Sequence, residues 1–378
     1  MKVSTRRDSK NYKRRYLPAV CVVFLLVTLL FGGCFANAKS ASDKAPIKVR
    51  VLVLKGKTGL VLKGVKNKNV VTLKLSSSGV LIDGKKEKLP FRFHPEKKVV
   101  YIDGLPYRGV LEIRKESGKL IVIDELSIEA YVAGIINHEI SSKWNKEAIQ
   151  AQAVVARTYA LYRMKEREGR AYDLVGTHMD QVYKGAGKED SASWQAIRAT
   201  KGQVLYYDKA PALDLYHSNA GGRTEASEDV WGAPHPYLKS VKSKFDKVSP
   251  SYQWSLSLTG ERLGEFLKKG GYKVGVVKKI KIKKRTKSKR IKKLLIKGTL
   301  GEVTLSGEDM RKVVGYATLR STLFKVRKKG SDFNFKGYGS GHGVGLSQWG
   351  AKGMADNGYS YKKILRRYYP GTKLKKLY

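Results

Sequence analysis

A single glutamate, Glu139, is the residue best suited to acid–base chemistry. It ends the stretch Tyr131-Val-Ala-Gly-Ile-Ile-Asn-His-Glu139, ahead of Trp144. Ile128, Tyr131, Val132, Ile135 and Ile136 recur at helical spacing, and Ser127 is a suitable N-cap. On such a helix Glu139 lies three and four residues beyond Ile136 and Ile135 and shares their apolar face. The negative end of the helix dipole falls at the same place. Partial burial and the dipole both favour the neutral carboxyl, so its pKa is expected to rise. A general acid needs that shift to hold its proton near neutral pH. Spacing alone favours a plainer alternative, a glutamate at a frayed helix end held in water.

Three more segments carry groups suited to binding. His217-Ser218-Asn-Ala-Gly-Gly-Arg223-Thr-Glu225 precedes Glu228 and Trp231-Gly. Its paired glycines let backbone approach a ligand closely, and His217, Ser218, Arg223 and Glu225 offer directional hydrogen bonds. Gly341-His342-Gly-Val-Gly-Leu-Ser347-Gln348-Trp-Gly350 sets a histidine among four glycines, where it has little local packing to do. The alternative there is a tight turn with Ser347 as a cap. Arg157, in Ala156-Arg-Thr-Tyr159, faces either Glu139 or a substrate carboxylate, or else forms a structural salt bridge. No G-x-S-x-G elbow marks an activated serine, and no H-E-x-x-H is present. Neither a P-loop nor a G-x-G-x-x-G occurs between a strand and a helix.

The elements that must position these groups are legible as local signals. Residues 47–126 read as mostly antiparallel β structure, with turns at Asp83-Gly84, Asp103-Gly104 and Glu116-Ser-Gly118. Residues 127–168 read as helix, loop, helix. In the second helix Ile149, Ala153, Ala156 and Ala160 share a face that packs closely on a neighbour. A helix and a strand follow over 195–216, then a polar loop over 217–232. Thr259 caps a short helix, and Ser306-Gly-Glu-Asp309 resembles a capping box. A last helix runs from about Tyr361 to Tyr369 and stops at Pro370-Gly371. No internal repeat is evident. Fold class is α+β, with mixed and antiparallel β regions and several short helices around a central groove.

Composition narrows the partners. The 378 residues include 76 Lys+Arg and 32 Asp+Glu, a net +44. Residues 1–38 hold seven bases and one acid, so nearly all of that charge belongs to the remainder. Such a surface seeks polyanions: nucleic acid, anionic lipid or an anionic wall polymer. Residues 278–297 hold twelve Lys or Arg and no acid, interleaved with Ile280, Ile282, Ile291 and Ile296. They read as two amphipathic strands around Thr286-Lys-Ser288. Their lysines form either a solvated face or a patch for an anionic polymer. At the N-terminus a basic segment, Lys2 to Arg15, precedes an apolar run from Ala19 to Phe35 and the A-x-A site Ala36-Asn37-Ala38. This reads as a signal peptide or membrane anchor over 1–38, with Cys34 offering a lipoprotein alternative. Each version puts 39–378 outside the cytoplasm, which argues against nucleic acid. Cys21 and Cys34 both lie in the apolar run, so a cleaved chain has neither disulfide nor thiolate metal site.

Read together, these segments resemble the stage II sporulation protein D (SpoIID/LytB) family, which includes amidase enhancers. The resemblance rests on Tyr131…His138-Glu139-Ile…Trp144…Glu147-Ala-Ile-Gln-Ala-Gln-Ala-Val-Val-Ala-Arg-Thr-Tyr-Ala160 and on Asp180-Gln-Val-Tyr183. It extends through His217-Ser218…Glu225, Glu228-Asp-Val-Trp231, Arg320-Ser-Thr-Leu-Phe324, Gly341…Ala351 and Tyr368-Tyr-Pro-Gly371. These matches run in order from about residue 105 to 378, which implies a catalytic region there behind a β-rich region over 39–104. The resemblance implies a lytic transglycosylase that cuts peptidoglycan glycan strands stripped of stem peptides, or a wall-binding amidase enhancer without catalysis. The family's catalytic glutamate falls on Glu139. Arg157, His217, Ser218, Arg223, Glu225, His342, Ser347 and Gln348 become candidate substrate binders. An amidase and a membrane protein are the implied partners, in sporulation or wall remodelling. Many relatives carry cysteines flanking a histidine before the Gln-Val-Tyr triplet. Here those places hold Val175 and Asp180, with His178 nearby, so neither a metal nor a cofactor is expected.

Overall fold

The computed structural model describes residues 46–76 and 79–378. The apolar N-terminal run and its processing signals lie outside them. Among the described residues no helix is long and apolar enough to cross a membrane. The architecture is α+β.

Two antiparallel sheets open the chain. One is ordered Leu174–Val175, Lys48–Lys57, Lys119–Ser127, Val110–Glu116, Phe91–Phe93, its two-residue edge running parallel. The other is ordered Lys85–Glu87, Gly79–Ile82, Lys68–Ser76, Gly59–Val65, Val100–Ile102, Leu105–Tyr107. The Asp-Gly turns read from the sequence are present, with positive φ at Asp83 and Gly84 and at Asp103 and Gly104. Strand Lys48–Lys57 pairs with Lys119–Ser127, so the β-rich region and the segment after residue 105 share one sheet.

Four helices follow: α1 Ile128–Glu139, α2 Lys146–Glu166, α3 Ser191–Ala199 and the short α4 Ser227–Trp231. Ser127 caps α1 by accepting the Ala130 amide at 3.3 Å. From Ala148 to Ala160, every α2 side chain except Gln150 is buried. A helix apolar all round is covered all round. Ile149, Ala153, Ala156 and Ala160 face the sheets and α1. Ala148, Ala151, Val154 and Val155 face a second core, which includes Ala351, Met354, Ile364, Leu365 and Tyr368.

Residues 253–338 form a third core of their own. They run strand Gln253–Thr259, helix α5 Gly260–Lys269, strands Val277–Arg285 and Ile291–Gly298. The same order then repeats: strand Glu302–Ser306, helix α6 Gly307–Val314, strands Phe324–Lys329 and Asp332–Tyr338. Each sheet takes the hairpin of one half and the leading strand of the other. Both helices open on a capping hydroxyl followed by Gly-Glu, at Thr259 and Ser306. A structural repeat therefore exists where the sequence suggested none, because little else in the two halves matches. The unit enters and leaves side by side, the Gly339 amide donating to the Tyr252 carbonyl at 2.8 Å. Helices α7 Gln348–Asp356 and α8 Tyr361–Tyr368 follow, and a last strand, Lys373–Lys376, pairs with Gln203–Tyr207.

Candidate active site

Glu139 is the last residue of α1, and Ile140 after it is already extended. The helix end is set against the loop before Tyr183. Gly134 permits this, since a Cβ there would stand 2.4 Å from the Tyr183 ring. The Val182 amide donates to Glu139 Oε1 at 3.1 Å. The Tyr216 hydroxyl and the Gln348 amide lie against the same carboxyl. Burial raises the Glu139 pKa, and it outweighs these three donors, each of which favours the carboxylate. Among the groups acting on Glu139 there is neither a cation nor a second acid.

Its surroundings are ordered by one hydrogen-bonded chain. Tyr131 donates to Gln181 Oε1 at 3.2 Å, and Gln181 Nε2 donates to the Tyr216 oxygen at 3.2 Å. Tyr216 thus accepts from Gln181 and keeps its own proton for Glu139. Burial, then the Glu139 charge, holds the Tyr216 phenol far above its ordinary pKa, so it remains a donor. The composition of the segments did not single out Tyr131, Gln181 or Tyr216. Period-2 alternation on a strand beside His217 was the available signal for Tyr216.

The glycine-rich segments meet as a parallel pair, Tyr216 opposite Leu346 and His217 opposite Ser347. Gln348 is buried; its Nε2 lies toward the Glu139 carboxyl and favours the charged form, but it meets hydrogen-bond geometry with no partner among the described residues. His342 Nε2 donates to the Tyr216 carbonyl at 3.0 Å while Nδ1 accepts the Val344 amide at 3.1 Å. Burial, with Arg311 and Arg290 adding to it, pushes His342 down to about 4, so it is neutral. His217 donates from Nδ1 to the Val344 carbonyl at 3.1 Å, and its buried Nε2 is unpartnered. It too is held neutral, by burial first and then by His342 and Arg290. The rings of His217, His342 and the half-exposed Trp231 follow one another at 5.4 and 5.2 Å. Ser218 is half-buried and accepts the Trp349 amide at its carbonyl.

Other residues singled out in the sequence do structural work. Arg157 is fully buried, bonded twice to Glu129 (3.1 and 2.7 Å) and once to the Gln203 carbonyl (2.9 Å). Glu129 is at the opposite end of α1 from Glu139, so Arg157 forms the structural salt bridge and does not face the site. The Ser347 hydroxyl donates to Asp246 at 2.6 Å and accepts the Ala220 and Gly350 amides, capping α7. Glu225 is buried and accepts from Thr286 at 2.6 Å and Ser288 at 2.8 Å. Arg290, from the same turn of the inserted unit, donates to the Ala220 and Arg223 carbonyls. A Cβ on Gly343 would stand 2.7 Å from its guanidinium, so Arg290 also braces the His342 loop. Arg223 supplies that carbonyl, and among the described residues its guanidinium reaches only the Ser240 carbonyl, at 3.5 Å. The basic hairpin thus has a role beyond charge: its turn ties the two glycine-rich segments together.

At the turn before Val182 the Asp180 carboxylate is fully occupied. It accepts from Arg167 (2.7 Å), Tyr159 (2.9 Å) and the Val175 amide (2.8 Å), with Arg163 at 3.0 Å. Among the described residues no group of His, Cys, Asp and Glu is arranged to hold a metal.

Comparison with known proteins places the chain in a family. A family described as stage II sporulation protein matches residues 116–207, and a domain of unknown function (DUF8618) matches 238–345, around the inserted unit. The chain is 34% identical to an uncharacterized protein of Brachyspira hyodysenteriae over 274 residues, 72% of this chain and 73% of the relative. It is 33% identical to stage II sporulation protein D of Bacillus subtilis over 268 residues, 67% of this chain and 75% of the relative. The amidase enhancer of Bacillus subtilis is 30% identical over 289 residues, 64% of this chain and 40% of that longer protein. The chain belongs to the stage II sporulation protein D family.

Proposed function

We propose that the protein is a lytic transglycosylase acting on peptidoglycan glycan strands stripped of stem peptides, outside the cytoplasm, during sporulation or wall remodelling. The observation that carries this reading is one partly buried carboxyl at a helix end, with a raised pKa and, among the described residues, no second acid acting on it. Ordinary glycosidases use two carboxyl groups. One suffices when the sugar supplies its own nucleophile. Glu139 gives its proton to the oxygen bridging N-acetylmuramic acid C1 and the N-acetylglucosamine ring, and the C1–O bond breaks. The resulting carboxylate takes the proton of the muramic C6 hydroxyl as O6 bonds to C1. The products are a 1,6-anhydro end and a free hydroxyl; no water is consumed and Glu139 is protonated again.

Tyr216 holds the carboxyl in one orientation and steadies it while it is charged. Gln348 Nε2 and Ser218 are the groups left to meet the sugar. In this reading His217, His342 and Arg223 act on the glycine-rich backbone, Glu225 and Ser347 lock it, and Arg157 holds α1. The lactyl carboxylates of stripped strands suit a chain of net +44. No cofactor is called for.

The amidase-enhancer relative supports a second reading, a wall-binding protein that stimulates an amidase without cutting glycan. The full chain in a non-ionic detergent, incubated with amidase-stripped strands, separates the two by mass spectrometry. Anhydro-ended fragments from the wild type and none from Glu139→Gln are expected. Fragments with ordinary reducing ends mean hydrolysis by water. Binding without cleavage by either protein favours the enhancer reading.

A further inference from the structure

The inserted unit carries a charged face that the active site does not use. In its sheet Val277–Arg285, Ile291–Gly298, Glu302–Ser306, the positions Ile280, Ile282, Leu294, Ile296, Val303 and Leu305 point into the core. Alternate positions point away from it. There the register sets Lys279 opposite Lys297 and Lys284 opposite Lys293, with Lys281 between them, all exposed. Like charges directly across a ladder destabilise it. Only Lys297 finds an acid on this face, Glu302, while Lys279, Lys281, Lys284 and Lys293 form no ion pair among the described residues.

The N-terminal sheet handles cations differently. Lys55 pairs with Glu116 at 2.9 Å, Arg50 with Asp173 at 2.6 Å and Arg92 with Glu112 at 3.2 Å. Exposed lysines without an ion pair among the described residues occur there too, Lys74 and Lys115 among them, but no register of the N-terminal sheets sets two lysines directly opposite, as this face does and as Lys325 and Lys336 do in the unit's other sheet.

The face has a definite chemistry. Lysines two apart on one strand stand about 7 Å from each other. Ammonium groups are point charges without the planar fork that reads a carboxylate two-handed. No aromatic side chain lies among them to stack on a sugar ring. A stripped glycan strand, whose carboxylates come only on every second ring, matches this spacing poorly. We infer that this face binds a linear phosphodiester polymer, such as a polyol phosphate of the cell envelope, through closely spaced charges. The inference does not depend on Glu139.

The test compares two variants of the full chain in non-ionic detergent, each losing four charges. One carries Lys279→Gln, Lys281→Gln, Lys284→Gln and Lys293→Gln; the control carries Lys74→Gln, Lys86→Gln, Lys97→Gln and Lys115→Gln, all at exposed positions. Binding is measured to poly(glycerol phosphate), to stripped glycan strands and to phosphatidylglycerol vesicles across a salt series. The face variant is expected to lose tenfold or more in affinity for poly(glycerol phosphate) at low salt, with a shallower salt slope. The control and the wild type should agree within about threefold, and glycan binding should not change. Equal losses in both variants would reduce the effect to net charge and overturn the proposal. So would a loss by the face variant confined to glycan strands or to vesicles. Circular dichroism on both variants checks that each is folded.

Discussion

The two ends of helix α1 each hold a glutamate and surround it with opposite company. Glu129, in the first turn, accepts from Arg157, the Gly202 amide and the Tyr378 hydroxyl, the last at 2.6 Å. The helix dipole adds to these. Glu139, at the other end, has burial against it, the wrong pole of the dipole and no cation, with only Val182, Tyr216 and Gln348 on its side. The same side chain on one rigid rod is a structural anchor at one end and a proton carrier at the other. What separates the roles is the neighbourhood that α2 and the strand at Tyr216 supply, not the helix itself.

The comparison breaks most visibly at Glu139. Glu139→Gln should cost about two to four orders of magnitude in strand cleavage, the usual share of a general acid, read by product mass spectrometry. Stability should not fall with it. A carboxyl whose folded pKa is raised contributes stability while protonated, and that contribution is lost as pH rises through the folded pKa. At pH 8 the glutamine variant should therefore melt at the same temperature as wild type or higher.

Arg157→Ala should reverse the pattern. It empties a fully buried site, leaves the half-buried Glu129 without its cation, and should cost about 3–5 kcal/mol in urea unfolding. The folded fraction should keep its cleavage rate. If activity fell with stability intact, the division between the two ends would be wrong.

A third carboxyl sharpens the point. Asp124 is buried in the sheet beneath α1, bonded to the Tyr183 hydroxyl at 2.7 Å, and burial pushes it up to about 7. Stability should fall as pH rises from about 4 through 7, by up to roughly 1.4 kcal/mol per pH unit, and Asp124→Asn should remove that slope in thermal melts. Burial alone thus raises a carboxyl; Glu139 differs in being only partly buried and at a helix end.

Tyr216→Phe is expected to give the smallest effect, about a tenfold loss in kcat, near the net worth of one hydrogen bond to a charged group. Because Tyr216 favours the carboxylate, its removal should also move the alkaline limb of the pH–rate profile upward. A merely structural role would leave that limb in place.

Much of this was legible in local sequence. Caps at Ser127, Thr259 and Ser306 and the Asp-Gly turns depend on neighbours a few residues away, and all are present. The apolar spacing of α1 also put Glu139 at its end. Long-range pairing was not legible: nothing near Arg157 reveals that Glu129, 28 residues earlier, would claim it. Tyr216 was overshadowed by His217, although alternation turns the two to opposite sides of one strand. The inserted unit hid its repeat because its halves share a cap and a Gly-Glu pair but few other residues. Its turn at 286–290 read as part of a charged hairpin, since only the fold brings Arg290 beneath Gly343.

The proton on Glu139 can be observed directly. Infrared difference spectra of wild type against Glu139→Gln, titrated from pH 3 to 9, report its carboxyl stretch alone. The account predicts a protonated carboxyl band that persists above 4.5, the ordinary value, and disappears at higher pH. A band lost at or below that value would contradict it, leaving Glu139 a solvated helix end without the proton that cleavage requires.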